Sequence, residues 1–153
     1  LRDAITLARP DGQVVLQTTL PHHHTFVAVA TNDPTRFYEP ELTFRRALGY
    51  PPFSHLISLR VSGPSETVVR EAATQWAAVL NRCGHDEADG LSILGPIPAT
   101  VARIRGRYRW HILVKASNGD RARRCVKETL AQMEASTHRD IKFDVDVDPI
   151  TFT

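Results

Sequence analysis

Arg103, Arg105, Arg107 and Arg109 fall at every second position of the stretch GPIPATVARIRGRYRWHILVKA, Gly95 to Ala116, with Tyr108 and Trp110 threaded among them. In an extended backbone this spacing puts all four guanidinium groups on one side. Guanidinium groups hold phosphates with paired hydrogen bonds, and aromatic rings stack on unpaired bases. The combination is the general recipe for single-strand binding. Lys115 continues the cationic stretch, so Arg103, Arg105, Arg107, Tyr108, Arg109 and Lys115 are the candidate DNA-contacting residues. Two other uses of the same pattern stay open. The arginines beside an apolar groove would hold an acidic, hydrophobic peptide end, and an edge strand can carry alternating charges simply to discourage aggregation.

The elements that must position these groups follow from periodicity. His55 to Ser62 alternates as a half-buried strand, with His55, Ile57, Leu59 and Val61 inward. Gly63-Pro64-Ser65 turns the chain into a helix from about Glu66 to Cys83, whose stripe Val68, Val69, Ala72, Ala73, Trp76, Val79, Leu80 and Cys83 recurs at helical spacing. Trp76 reads as core. Gly84 to Gly90 is an acidic loop, and Leu91 to Leu94 a second strand. A third strand, Val101 to Arg105, meets a fourth, Tyr108 to Ala116, through a Gly106-Arg107 hairpin of type II′ that would carry Arg107 at its tip. Ser117 to Asp120 offers N-caps for a helix to about Glu134, with Ala122, Cys125, Val126, Thr129, Leu130 and Met133 inward. Ile141 to Asp148 closes the sheet with Ile141, Phe143, Val145 and Val147 inward. The expected fold is α+β, a β-α-β-β-β-α-β sandwich of one mostly antiparallel sheet with two helices on one face.

Residues 1–54 read differently. Gln13 to Leu20 alternates like a strand without a nearby partner. A helix is expected over Thr25 to Thr31, and Asp33-Pro34 caps another to about Leu48, which Pro40 should kink or divide. Gly49-Tyr50-Pro51-Pro52-Phe53 then stops the helix and makes a rigid corner. The division expected is 1–21, a tail; 22–54, a helical linker; and 55–153, the α+β domain.

With 153 residues and 42% apolar content, the chain has room for one ordinary core. No apolar run is long enough to span a bilayer, and LRDAITLARPDG lacks the order of a signal peptide, so a soluble intracellular protein is expected. The opening without a methionine suggests a piece of something longer. The formal net charge is only +2. What matters is placement: Arg103 to Lys127 is strongly basic, including Arg121, Arg123, Arg124 and Lys127, while Asp86, Glu87, Asp89, Asp144, Asp146 and Asp148 compensate elsewhere.

Other chemistries are poorly supported. His22, His23 and His24 are adjacent and cannot converge on one ion. Asp144-x-Asp146-x-Asp148 starts like a calcium loop but has proline where glycine is needed, and its carboxylates could pair with the arginine hairpin if the strands are neighbours. Cys83 and Cys125 read as buried thiols on apolar stripes. Phosphate-loop, nucleophile-elbow and zinc-protease motifs are missing. No catalytic residue, metal ligand or cofactor site is expected.

Glu41-Leu42, Arg45-Arg46, Gly49-Tyr50-Pro51-Pro52-Phe53, Gly95-Pro96-Ile97-Pro98-Ala99, Arg105-Gly106-Arg107-Tyr108-Arg109-Trp110 and Asp146-Val147-Asp148-Pro149 together resemble the C-terminal region of the primosomal protein N′ (PriA) family of replication restart helicases. Gln13 to Thr18, after Arg9-Pro10-Asp11-Gly12, resembles the last strand of the family's second helicase lobe. The resemblance implies a non-catalytic C-terminal domain that contacts forked or single-stranded DNA. It also implies docking of the acidic tail of single-stranded-DNA-binding protein and work with other primosome proteins in the bacterial cytoplasm, at the nucleoid. It points to the start of the last helix, the region of Arg121 and Arg123 with Arg124 and Lys127, for the peptide contact. ATP and zinc sites of the family would lie upstream. The family's Gly-Arg-x-Gly-Arg motif would fall within Leu1 to Ala8, where it is missing. Either the boundary carries a gap or the parent has lost its ATP-coupling arginines, and a member without helicase activity is the reading preferred.

Overall fold

The computed structural model describes residues 12–84, 90–133 and 139–149. The chain divides into two compact units, Leu1–Leu48 and Gly49–Thr153.

In the first unit, α1 (His24–Ala30) and α2 (Thr35–Leu48) form a helical pair. The Asp33 carboxylate accepts hydrogen bonds from both the main-chain N–H and the hydroxyl of Thr35, which satisfies an otherwise orphaned donor at the start of α2. Pro40 does not divide α2, which runs as one helix on both sides of it. Gln13 to Leu20 forms no strand. Its alternation has no ladder partner among the described residues, and an unpaired strand leaves its backbone groups to water. The expected motif region at residues 1–8 lies outside the described residues.

Gly49 takes a φ of +57°, which ends α2 in the left-handed conformation that glycine adopts without a Cβ penalty. A tight corner follows. The Phe53 N–H donates to the Tyr50 carbonyl, and the Ser54 hydroxyl donates to the Gly49 carbonyl at 2.6 Å. The Pro51–Pro52 and Gly95–Pro96 bonds are cis.

The body of the second unit is a four-stranded antiparallel sheet of β1 (His55–Gly63), β2 (Leu91–Ile104), β3 (Arg107–Ala116) and β4 (Lys142–Val147), in the order β2-β3-β1-β4. It carries α3 (Glu66–Cys83) and α4 (Gly119–Met133). The α+β class and the single sheet agree with the pattern of alternating and helical periods. Two expected strands differ. Leu91–Leu94 and Val101–Arg105 belong to one long strand, β2, with register shifts between Leu94 and Ile97 and between Pro98 and Arg103. Proline cannot donate to a ladder, so the Pro96 and Pro98 region bends an edge strand instead of ending it.

The core lies between the helices and one sheet face. Ile57, Leu59 and Val61 of β1 and Ile112, Val114 and Ala116 of β3 meet Val69, Ala73, Trp76 and Leu80 of α3 and Ala122, Cys125 and Val126 of α4. Asn118 caps α4 by accepting from the N–H groups of Asp120 and Arg121. Two expectations about inward residues fail. His55 is exposed, and Val145 and Val147 remain 39% and 45% exposed. They share the core face by parity, but β4 is the outer strand beside β1, and only Ile141 and Phe143 reach the helices. The acidic loop expected at 84–90 and the helix end at Glu134 fall largely outside the described residues.

Candidate nucleic-acid interface

The hairpin between β2 and β3 redistributes the four arginines. Arg103 pairs with Tyr108 and Ile104 with Arg107, so the two-residue loop is Arg105-Gly106. Their φ angles are +48° and +79°, the two positive values of a type I′ turn, which matches the twist of the flanking strands. The expected Gly106-Arg107 loop of type II′ is therefore displaced by one residue. A two-residue loop at either place reverses strand parity across the turn. Directly opposed residues share a face, which puts Arg103 with Tyr108 on the helix-covered side and Arg107 and Arg109 on the open side. A single extended ribbon with all four on one side does not occur.

Each side chain also has its own environment. The Arg103 guanidinium stands over the Tyr108 ring, 4.9 Å from its centroid, a geometry that holds both groups by cation–π attraction. Arg105 is exposed at the tip. Arg107 is not a free tip residue: its Nη2 donates to the Ser62 carbonyl at 2.9 Å and the Asp140 carbonyl at 2.8 Å. It ties β3 across the end of β1 to the segment that leads into β4. Lys115 lies with its ammonium 5.9 Å from the centroid of the Tyr50 ring, so the Gly49–Phe53 corner is joined to β3.

The open face is where the basic groups converge. By register, β1 contributes Leu56, Ser58, Arg60 and Ser62 to it, of which Leu56 and Ser62 are buried, β3 contributes Arg107, Arg109, His111, Leu113 and Lys115, and β4 contributes Lys142, Asp144 and Asp146. Ile104, Ile97 and Leu94 of β2 share this side and are 42%, 60% and 43% exposed. Arg107, Arg109 and Lys115 of β3, with His111 and Leu113 between them, thus run beside a row of exposed aliphatic groups. The Asp144 carboxylate does not meet the arginine hairpin, because β1 intervenes. It accepts instead from Arg60 Nε at 3.2 Å.

His111 sits within this charge field, paired across β1 with Arg60 and two residues from Arg109. Its pKa is lowered, first by burial and then by the positive charges of Arg109 and Arg60. Its Nε2 is buried without a hydrogen-bond partner among the described residues. The fold therefore favours the neutral ring. Because the unfolded chain takes up this proton more readily, stability is full above the ordinary histidine pKa and falls as pH drops through it. Urea midpoints measured from pH 7.5 to 5.5 should decline, and His111→Gln should flatten that decline. An unchanged slope would remove His111 as its source.

The second basic group is less uniform than its sequence suggests. Arg121 donates to the Cys83 carbonyl at 3.1 Å, joining the start of α4 to the end of α3. Arg123 is bonded to Asp120 at 2.6 Å, and this bond and charge hold the Asp120 carboxyl below the usual range. Arg124 and Lys127 are exposed. Of the four side chains, Arg121 joins the two helices, Arg123 pairs with Asp120 on the surface of its own helix, and Arg124 and Lys127 project outward.

Sequence reasoning missed Arg60 and His111 as members of the basic surface. The period of β1 already placed Arg60 outward, but only the strand order sets it beside His111.

Comparison with known proteins places residues 46–150 in the family model described as Primosomal protein N C-terminal domain. The chain is similar to proteins named Replication restart protein PriA. Identity is 38% with that of Synechocystis sp., over 92% of this chain and 16% of the relative. With that of Rickettsia prowazekii it is 31%, over 92% and 20% respectively. With that of Bacillus subtilis it is 29%, over 90% and 17%. The chain spans about a fifth or less of the length of these relatives.

Proposed function

The chain belongs to the primosomal protein N C-terminal domain family, and from that premise we propose that it is the DNA- and protein-binding C-terminal domain of a replication restart protein. In this role it helps recognise stalled or branched forks and docks the acidic tail of single-stranded-DNA-binding protein, without catalysing a reaction itself. The observation that carries the reading is the sheet face away from the helices, where Arg109 and Arg60, together with burial, lower the pKa of His111, and where Lys115 lies two same-face positions further along β3. Phosphate groups laid on this face would meet Arg109 and Lys115, beside an Arg60 already engaged by Asp144. Arg103, Arg105 and Tyr108 at the hairpin extend the contact toward the end of the sheet.

For the peptide partner, Arg124 and Lys127 in the second and third turns of α4 supply exposed positive charge, while Arg121 ties the start of that helix to the end of α3. A peptide-binding module without direct DNA contact is the second reading. It is favoured by exposed Leu94, Ile97 and Ile104 beside the cationic row, which suit an acidic chain ending in an apolar residue.

The two readings separate in a titration of the full chain with fluorescent forked DNA and with an acidic tail peptide at two salt concentrations. DNA affinity should fall with a log–log slope of roughly 0.9 per duplex phosphate neutralised, while a peptide with an apolar anchor should lose less. The triple variant Arg103→Ala, Arg105→Ala, Arg109→Ala should reduce the DNA slope by about 3 and leave the fold intact. DNA affinity and slope unchanged in this variant would end the DNA assignment. Arg124→Ala with Lys127→Ala should weaken the peptide alone.

A further inference from the structure

We propose that Cys83 and Cys125 are a redox pair that hydrogen peroxide closes into a reversible disulfide, tying the end of α3 to the middle of α4. The two helices pass each other with their thiols crossed. Cys83, the last residue of α3, directs its Sγ to Glu128 Oε2 on α4 at 3.6 Å. Cys125, one turn before Glu128, is fully buried and directs its Sγ to the Leu80 carbonyl on α3 at 3.8 Å. Leu80 in turn lies one turn before Cys83. Each thiol therefore reaches the other helix beside the other cysteine.

Their surroundings divide the roles. Cys83 is half-buried and lines an open groove of about 280 Å³, together with Val79, Arg82, Glu128, Thr129 and Gln132, so a small oxidant can reach it. Cys125 is shut away, and burial pushes its thiol pKa well up, with Cys83 adding to the rise. Cys83 is thus the residue attacked first and Cys125 the resolving partner.

The chemistry closes with no other redox component. The Cys83 sulfur attacks one oxygen of peroxide and the O–O bond breaks. The thiol proton passes to the Glu128 carboxylate and on to the departing hydroxide, leaving a sulfenic acid and water. The Cys125 sulfur then attacks the sulfenic sulfur, the S–O bond breaks, and hydroxide leaves with the Cys125 proton as a second water. Two thiols are oxidised and one peroxide is reduced. A dithiol reductant reverses the bond by exchange.

Peroxide treatment of the full chain, followed by unfolding, alkylation and intact-mass measurement, tests this. The expected result is that both alkylatable thiols disappear together, in a monomer lighter by two hydrogens, and return with reductant. In Cys125→Ser, Cys83 should stop as a sulfenic acid that a cyclic diketone traps, at the same first rate. In Cys83→Ser, Cys125 should remain alkylatable after the same exposure. Glu128→Gln should slow loss of the first thiol without blocking it. A Cys125 still alkylatable after Cys83 has been oxidised in the unsubstituted chain would overturn the proposal, as would disulfides formed only between two chains.

Discussion

Trp76→Ala is expected to lower unfolding free energy by about 3–5 kcal/mol, the cost of removing a large aromatic group from a packed interior. Trp76 is only 1% exposed, at the centre of the stripe by which α3 covers the sheet. Its ring stacks on Phe143 of β4 with centroids 4.2 Å apart and planes 21° from parallel. Together with Ile141 just before the strand, this contact fastens the outer strand to the helix layer, because Val145 and Val147 further along β4 are exposed. Loss of the ring should therefore loosen β4 before it loosens β3, and amide exchange should rise first at residues 142–147. The indole Nε1 is buried without a hydrogen-bond partner among the described residues, so Trp76→Phe removes a poorly satisfied donor while keeping most of the stack. It should cost much less than alanine. Equal urea midpoints for the alanine and phenylalanine variants would show that the stack contributes little.

Arg107→Met should cost about 2 kcal/mol, because a charge-assisted donor is withdrawn from two carbonyls at once. Methionine keeps an apolar stem, so the loss reports the guanidinium and not simply packing. One acceptor, Ser62 O, belongs to β1, and the other, Asp140 O, belongs to the segment entering β4. The expected signature is a lower urea midpoint with early amide exchange at the β1–β4 end of the sheet. Arg109→Ala, two residues away on the same face, should leave the midpoint within about 0.5 kcal/mol, as surface substitutions generally do. In DNA titrations under conditions where both variants are folded, the order should reverse, with Arg109→Ala the more damaging. A midpoint for Arg107→Met equal to that of the unsubstituted chain would mean that water replaces the arginine at both carbonyls.

The contrast between these two arginines marks what can be read without coordinates. Both are arginines at alternate positions of one stretch, and nothing local separates them. Arg107 finds its acceptors 45 and 33 positions away, at a distance in the chain where no periodicity reaches. The hairpin offers a similar case. Gly106 announces a turn, but whether the loop is Arg105-Gly106 or Gly106-Arg107 depends on the register of β2 against β3. Moving a two-residue loop by one position shifts the cross-strand partners by two, which keeps each residue's face but exchanges Arg107 for Arg105 in the loop.

By itself the sequence determined the elements and their inner faces: α3 from Trp76 and its stripe, α4 from Ala122 through Met133, and the alternation of β1 and β3. Hydrophobic period is a local property, and burial enforces it wherever an element is covered on one side only. The tertiary structure alone decided the order β2-β3-β1-β4, and with it the pairing of Asp144 with Arg60, the exposure of Val145 and Val147, and the gathering of Arg60, Arg109 and His111. These are contacts between segments far apart in the chain. Their partners are chosen by how strands pack side by side, a choice that many sequences with the same local periods could make differently.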